Sequence, residues 1–210
     1  TYEWNEPEEQ AQTHYTERLL TIPGSLNCYA YHYDTAPATI EVNRQLLHLP
    51  DDAIVFFSGA NYFKILPELS SELTAILVSP PCSYLVLMPY NPNWSNQYDA
   101  KRLVTSIEAQ LRQHGVDPER LRIVSSLPER ADVQRVIATA DVYLDSYPFS
   151  GACSLVDPLS LGIPVVAWKG GTARSLHSYS MLRALSVEEF AATSKDQYVD
   201  LAVSLGRSPA

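Results

Sequence analysis

Two places in this chain carry residue types and spacings that could do chemistry. The first is Lys64, which closes "FFSGANYFK", residues 56–64. The second is "LDSYPFSGACSLVD", residues 144–157, where Ser150, Gly151, Ala152, Cys153 and Ser154 stand in a row. A corner needs one glycine. A run of small residues makes room for something to approach the backbone. If Gly151 to Ser154 open a helix, their N–H groups and the helix dipole form an anion site. Asp157 then lies about a turn into that helix, wrong for phosphate but suited to the hydroxyls of a ribose. Lys64 could bring a point charge to a diphosphate. Small residues also permit close helix–sheet packing, an acid also favours a helix start, and a lone lysine is often a solvated surface charge. Residue types leave these readings open.

Several chemistries have no signal. The sequence contains no GxGxxG, no GxxxxGK[ST] and no GxSxG, so neither a dinucleotide fingerprint, a P-loop nor a hydrolase elbow is indicated. There is no Asp-x-Asp to hold a sugar nucleotide through a metal. Cys28, Cys82 and Cys153 are odd in number and far apart, which disfavours a zinc site or a disulfide framework and suits a reducing cytoplasm. His14, His32, His48, His114 and His177 show no ligand spacing. A net charge of -9, from 15 basic and 24 acidic residues, argues against non-specific nucleic-acid binding. No apolar run approaches the ~20 residues of a membrane span. The start "TYEWNEPEEQ" is polar and acidic, unlike a signal peptide, and begins with Thr rather than Met, so the expectation is a part of something longer.

The elements that must position these residues follow from periodicity. At 46% hydrophobic residues over 210 positions, a sizeable core is expected. Residues 1–36 lack a clear period and read as an irregular arm or linker; residues 37–210 read as one α/β domain. "PATIEVNRQLLHLP" suggests a helix ended by Pro50. "AIVFFSG", "SYLVLMP", "LRIVS", "DVYLD" and "IPVVAW" are short apolar runs that read as buried strands. Between and after them, helices are expected from "LPELSSELTAILV", "SNQYDAKRLVTSIEAQLRQHG", "ERADVQRVIATA", "TARSLHSYSMLRAL" and "SKDQYVDLAVSLG". In the clearest, Leu103, Ile107 and Leu111 fall on one face, Ser95 or Asn96 can cap the start, and Gly115 can end it. Fivefold alternation of strand and helix implies a Rossmann-like parallel sheet with helices on both faces. In such a sheet ligands bind beyond the carboxyl ends of the strands, which is where both stretches lie.

The residues also carry a resemblance. "ADVYLDSYPFSGACSLVDPLSLGIPVVAWKG", residues 140–170, resembles the nucleotide-binding signature of the protein O-GlcNAc transferase family, in particular the SPINDLY-like members with tetratricopeptide repeats. "HYTERLLTIPG" at 14–24, "MLRALS" at 181–186 and "DQYVDLAVSLG" at 196–206 extend it over nearly the whole chain. The resemblance implies one half of a GT-B glycosyltransferase, the C-terminal domain that holds most of the UDP contacts. It implies metal-independent transfer of GlcNAc from UDP-GlcNAc to Ser or Thr hydroxyls of an acceptor protein, with no cofactor. Lys64 matches the lysine on the donor diphosphate, and Asn61 a polar position just before it. Gly151, Ala152, Cys153 and Ser154 match the turn facing the phosphates, Asp157 the acid on the ribose, Leu127 and Pro128 the edge holding uracil, and Arg135 a basic residue in the following helix. The chain departs from the family at several points. Ala152-Cys153-Ser154 stands where the animal enzymes have His-Thr-Thr, Asp132 aligns with a stacking histidine, and Ser175-Leu176, with Arg174 one step earlier, replaces a Ser-Arg pair. Residues 1–50 cannot form the second Rossmann domain, so the other half of the cleft, the acceptor groove and the repeats lie elsewhere. A non-catalytic nucleotide-binding or interaction module built on the same fold is the second reading.

Overall fold

The structure, a computed structural model, describes residues 1–6, 11–29, 37–90 and 99–208. Six parallel strands form one sheet in the order β3-β2-β1-β4-β5-β6. They are β1 (Ile54–Ser58), β2 (Ser83–Leu87), β3 (Leu121–Ile123), β4 (Val142–Leu144), β5 (Val165–Trp168) and β6 (Ala191–Ala192). The helices are α1 (Pro67–Val78), α2 (Lys101–Gln113), α3 (Arg130–Ile137), α4 (Val156–Ser160), α5 (His177–Ala184) and α6 (Lys195–Arg207). The five expected strands are all present and all parallel. The sixth, two alanines beside β5, is too short to leave a periodic trace in sequence.

Period-two burial explains why the strands read as continuous apolar runs. In β1, Phe56 packs with Leu85, Leu87 and Leu144 toward α1, α2 and α6. Val55 and Phe57 pack with Val86, Tyr143 and Val165 toward α3 and α5. Both faces are covered, so neither face needs polar alternation. In α2, Leu103, Ile107 and Leu111 are buried as the periodicity required. Its end is set by Gly115 at φ +70, a left-handed value that side chains disfavour. The proposed caps Ser95 and Asn96 lie outside the described residues; within them, the Lys101 N–H donates to Asp99 Oδ1 at 2.8 Å.

The helix expected between Pro37 and Pro50 does not form. A single turn occupies 44–48 and stops at His48, φ 52. The donors of its first helical turn are taken elsewhere. The Thr39 and Ile40 N–H groups donate to Asp132 Oδ1 at 2.6 and 3.0 Å, and the Thr39 hydroxyl to Oδ2 at 2.7 Å. First-turn N–H groups have no intrahelical acceptor, so these bonds anchor the segment to α3 rather than compete with a helix; with Arg44 fastened to Thr139, Ala53 and Asp141, tertiary contacts outweigh the helical pattern.

The N-terminal arm packs on α5. Asn5 is buried; its Nδ2 donates to Ser180 Oγ at 3.1 Å and its Oδ1 accepts the Leu26 N–H at 2.7 Å. Asn27 Nδ2 donates to Ser180 Oγ at 2.8 Å. No helix among the described residues is long and apolar enough to cross a membrane.

Candidate functional site

In the sheet order, neighbours on either side of the β1–β4 pair run in opposite sequence directions. That reversal opens a crevice beyond the carboxyl ends of β1 and β4, where doubly wound sheets bind ligands. The loops that leave these two strands carry Asn61 and Lys64 on one side and residues 145–157 on the other.

After β1, the Asn61 side chain accepts the Phe63 N–H at 3.1 Å and starts a 3-10 turn, Tyr62–Lys64. The turn is tied to the β2 side by the Tyr62 N–H, which donates to the Pro89 carbonyl at 2.8 Å. This aims Lys64 across the crevice. Its Nζ donates to the Ser150 carbonyl at 2.9 Å and sits 4.3 Å from the Phe149 ring centroid. Burial pushes the ammonium's pKa down, and the Asp145 carboxylate pulls it back up. Half-buried charge of this kind acts through less screening than a surface lysine.

After β4 the chain turns back through Ser146 to Ser154. Ser146 Oγ donates to the Phe149 carbonyl at 2.8 Å, and Ser150 N–H and Oγ both reach the Arg174 carbonyl, at 3.1 and 2.8 Å. The expected helix start is corrected here. Residues Cys153–Leu155 form a 3-10 turn, and α4 has only five residues. The Gly151 N–H is not free for an anion; it donates to Asp145 Oδ1 at 2.8 Å. A helix this short has few aligned peptides and so little macrodipole. The positive charge of the site therefore comes from side chains.

A cavity of about 550 Å³ lies between the two loops. Asn61, Lys64, Leu127, Pro128, Cys153, Ser154 and Asp157 all line it. Gly151 and Ala152 stand in the turn behind it, and Arg135 does not reach it. The α3 register explains Arg135. Arg130 and Gln134 project to the α4 side, while Arg135 lies five positions after Arg130, about 140° around the helix. Its Nη1 donates to the Ile40 carbonyl at 3.2 Å, in a depression shared with Arg44. Asp132, aligned with a stacking position, is fully buried against Thr39 and Ile40 and presents nothing to the cavity.

Asp157 lines the cavity with a second commitment that its sequence position does not show. Its Oδ1 accepts from Arg130 Nε at 2.9 Å, Arg130 Nη2 at 2.6 Å and Gln134 Nε2 at 2.7 Å. Arg130 itself lines the cavity, along with Met88, Tyr90, Glu129, Val133, Tyr143 and Asp145. Arg130 and Asp157 are 27 residues apart, so no local pattern links them. Asp145 did have a signal: it is an acid placed directly after a buried strand, at the ligand end of the sheet. Asp145 is 3% exposed, and burial pushes its carboxyl up to about 6 against the pull of Gly151, Ser178 and Lys64. Tyr143, beside it, is raised by burial and by Asp145. Among the described residues no group of three or more His, Cys, Asp or Glu could hold a metal ion.

Comparisons with known proteins identify the family of the chain. The family model "Glycosyl transferase family 41" matches residues 23–210. A UDP-N-acetylglucosamine–peptide N-acetylglucosaminyltransferase of Caenorhabditis elegans is 32% identical over 164 residues, covering 78% of this chain and 13% of that protein. A probable enzyme of the same description, SPINDLY of Petunia hybrida, is 25% identical over 202 residues, covering 95% of this chain and 20% of that protein. The chain thus spans a fifth or less of the length of these relatives. Among solved structures, an O-GlcNAc transferase variant of Thermobaculum terrenum superposes with a TM-score of 0.72 at 27% identity, over 94% of this chain and 35% of that one. The glycosyltransferase WaaG superposes with a TM-score of 0.62 at 16% identity, over 97% of this chain and 53% of that one, which bears on the fold alone. The fold is one half of a GT-B glycosyltransferase, and the chain belongs to glycosyl transferase family 41.

Proposed function

We propose that this chain is the donor-binding half of a UDP-sugar-dependent protein O-glycosyltransferase, with UDP-GlcNAc as the donor and Ser or Thr hydroxyls as acceptors. The observation that carries the reading is the convergence of Lys64, Cys153, Ser154 and Asp157 on one cavity at the strand-order switch point. About 550 Å³ is within the ~300–1,000 Å³ of small-molecule sites. The cavity also divides by chemistry. Leu127, Pro128, Met88 and Val133 offer an apolar edge for a base, while Lys64, Ser154 and Arg130 offer donors for phosphates and hydroxyls.

Lys64 would act on the leaving group. An ammonium has three N–H donors, and the Ser150 carbonyl takes one. When the bond from the sugar to the diphosphate breaks, negative charge grows on the phosphate oxygen. A fixed, half-buried cation lowers the energy of that state more than of the bound donor. The hydroxyl that attacks, and the group that takes its proton, would come from the other half of the cleft. Those parts, the acceptor protein and any tetratricopeptide repeats belong to the whole protein.

Isothermal calorimetry of the 210-residue chain with UDP, with and without a chelator, tests the reading. Binding that survives the chelator and weakens in Lys64→Ala is expected. Strict dependence on magnesium or manganese would remove the metal-independent donor site. UDP binding to the chain with no transferase activity in the whole protein would favour the non-catalytic module.

A further inference from the structure

One buried carboxylate bonds to one loop of the site and acts electrostatically on the lysine of the other, without belonging to the donor contacts. Asp145 follows β4 directly. Its Oδ1 accepts the Gly151 N–H at 2.8 Å, and its backbone carbonyl accepts from the Tyr198 hydroxyl of α6 at 2.7 Å. A Cβ on Gly151 would stand 2.7 Å from that same Oδ1, so the glycine and the carboxylate are fitted to each other. The other oxygen, Oδ2, is buried without a hydrogen-bond partner among the described residues, and so is the hydroxyl of Ser178 in the first turn of α5. That hydroxyl lies near enough to favour the charged carboxylate. On the cavity side, Lys64 Nζ is bonded to the carbonyl of Ser150, the residue beside Gly151. Asp145 thus joins the end of β4 to the small-residue turn, with its backbone carbonyl held from α6, and it lines the same cavity as Lys64.

We infer that Asp145 is the positioning residue of this site: it pins the 150–154 turn to the end of β4 and supplies the counter-charge for Lys64. The inference rests on the donor-site reading above for its functional meaning, and on the geometry for its physics. Burial alone would drive Lys64 toward its neutral amine. Asp145 opposes that, and Lys64 in turn holds the buried Asp145 in its charged form. The other titratable groups that face the pair are His177 of α5, Tyr143 of β4, Tyr198 of α6 and Tyr147, whose hydroxyl bonds to Glu72 of α1. The three tyrosines are raised, so they stay neutral over the working range. His177 is held below its ordinary value by burial and by Lys64.

The experiment reads Lys64 directly. The chain has four lysines, so the side-chain signal of Lys64 in a heteronuclear NMR titration is assigned by its loss in Lys64→Met. In Asp145→Asn the Lys64 midpoint should fall by about one pH unit, the scale of a lost neighbouring charge. The inflection near pH 6 that Asp145 imposes on the Lys64 signal should vanish. Coupling is mutual, so Lys64→Met should raise the midpoint of the Asp145 carboxyl by a similar amount. A merely structural aspartate would move neither midpoint. An unchanged Lys64 midpoint in a folded Asp145→Asn overturns the inference, and so does an unmoved Asp145 in Lys64→Met. If Asp145→Asn fails to fold, the Lys64→Met arm decides alone. UDP calorimetry on the wild-type chain separates the two levels. Coupled midpoints without UDP binding would remove the donor reading and leave the pairing. UDP binding with uncoupled midpoints would remove the positioning role and leave the donor site.

Discussion

The two ends of the sheet treat buried polar groups in opposite ways. At the amino end, Arg44 and Asp141 are paired at 2.8 and 2.9 Å. Arg44 also donates to the carbonyls of Thr139, Asp51 and Ala53, and Asp141 Oδ2 accepts the Val55 N–H at 2.7 Å. At the carboxyl end, Ser58 Oγ, Asp145 Oδ2, His177 Nδ1 and Ser178 Oγ are all buried without a partner among the described residues. Volume does not distinguish the ends. A depression of about 500 Å³ at the amino end, lined by Leu159, Ile163, Leu182 and Phe190, is nearly as large as the cavity by Lys64. Unsatisfied polarity does distinguish them. Buried groups without partners cost stability, so a fold that keeps several together at one end has a use for them there.

The largest effect should come from the satisfied end. Arg44→Ala leaves the Asp141 carboxylate without its cation and three carbonyls without their charged donor. Breaking such a pair costs on the order of 3–5 kcal/mol when fully buried, and the side chains here are 24% and 29% exposed, which points to about 3 kcal/mol. Chemical denaturation should show that loss, and calorimetry of the folded variant should show unchanged UDP affinity. A lost site with intact stability would reverse the comparison.

Lys64→Ala should do the converse. In the whole enzyme, turnover should fall about a hundredfold, the cost of one transition-state donor. Donor affinity should fall less, because water and the remaining donors still solvate the phosphates. Stability at pH 7 should fall by about 1 kcal/mol, because the buried Asp145 carboxylate loses the cation that favours its charged form. Steady-state kinetics and a thermal melt on the same preparation check it. Unchanged turnover would make the 59–64 loop a connection and the lysine a surface charge.

The same contrast explains what the sequence makes legible. Strands β1, β2, β4 and β5 are visible because both faces of the sheet are buried, so apolar runs such as "IVFFS" have no competing explanation. Lys64, Cys153, Ser154 and Asp157 are legible because strand ends and their loops are local features, while Asn61, Leu127 and Pro128 are reached only through the family resemblance; all seven line the cavity. The failures are long-range. Thr39 and Ile40 give their N–H groups to Asp132, Arg44 fastens to Thr139 and Asp141, all over 90 positions away, and a helical pattern dissolves. Arg135 and Arg130 share a helix, yet only its register decides which one meets Asp157. Asp145 reads as the last letter of "DVYLD", and nothing local says that one oxygen would be left without a partner.

The smallest effect tests the comparison most sharply, because its sign is unusual. Asp145 ionises at 3.8 in a free chain and near 6 in the fold, with burial as the leading cause. Between those values the folded chain keeps a proton that the unfolded chain has released. Stability from this group therefore falls as pH rises from about 4 to about 6, and stays lower above. Roughly two units correspond to about 3 kcal/mol. An asparagine escapes that cost but brings an amide that must find an acceptor, so Asp145→Asn should gain about 1–2 kcal/mol at pH 7 and nothing near pH 4. His177, whose folded value is depressed, contributes the opposite slope, so the quantity to read is the difference between the two chains, not either curve. Asp132 supplies the control. Burial pushes its carboxyl up, but the hydrogen bonds from Thr39 and Ile40 outweigh it and hold it below its ordinary value. Its stability is present above the unfolded value and lost as pH falls through the folded one, so Asp132→Asn should destabilise at pH 7 and converge with wild type in acid. Urea midpoints at pH 4, 5, 6 and 7 for the three chains check both signs. If the two asparagine variants shift stability in the same direction at pH 7, the buried carboxylate with an unpaired oxygen is not the opposite of the satisfied one, and the unpaired oxygen of Asp145 has found a partner.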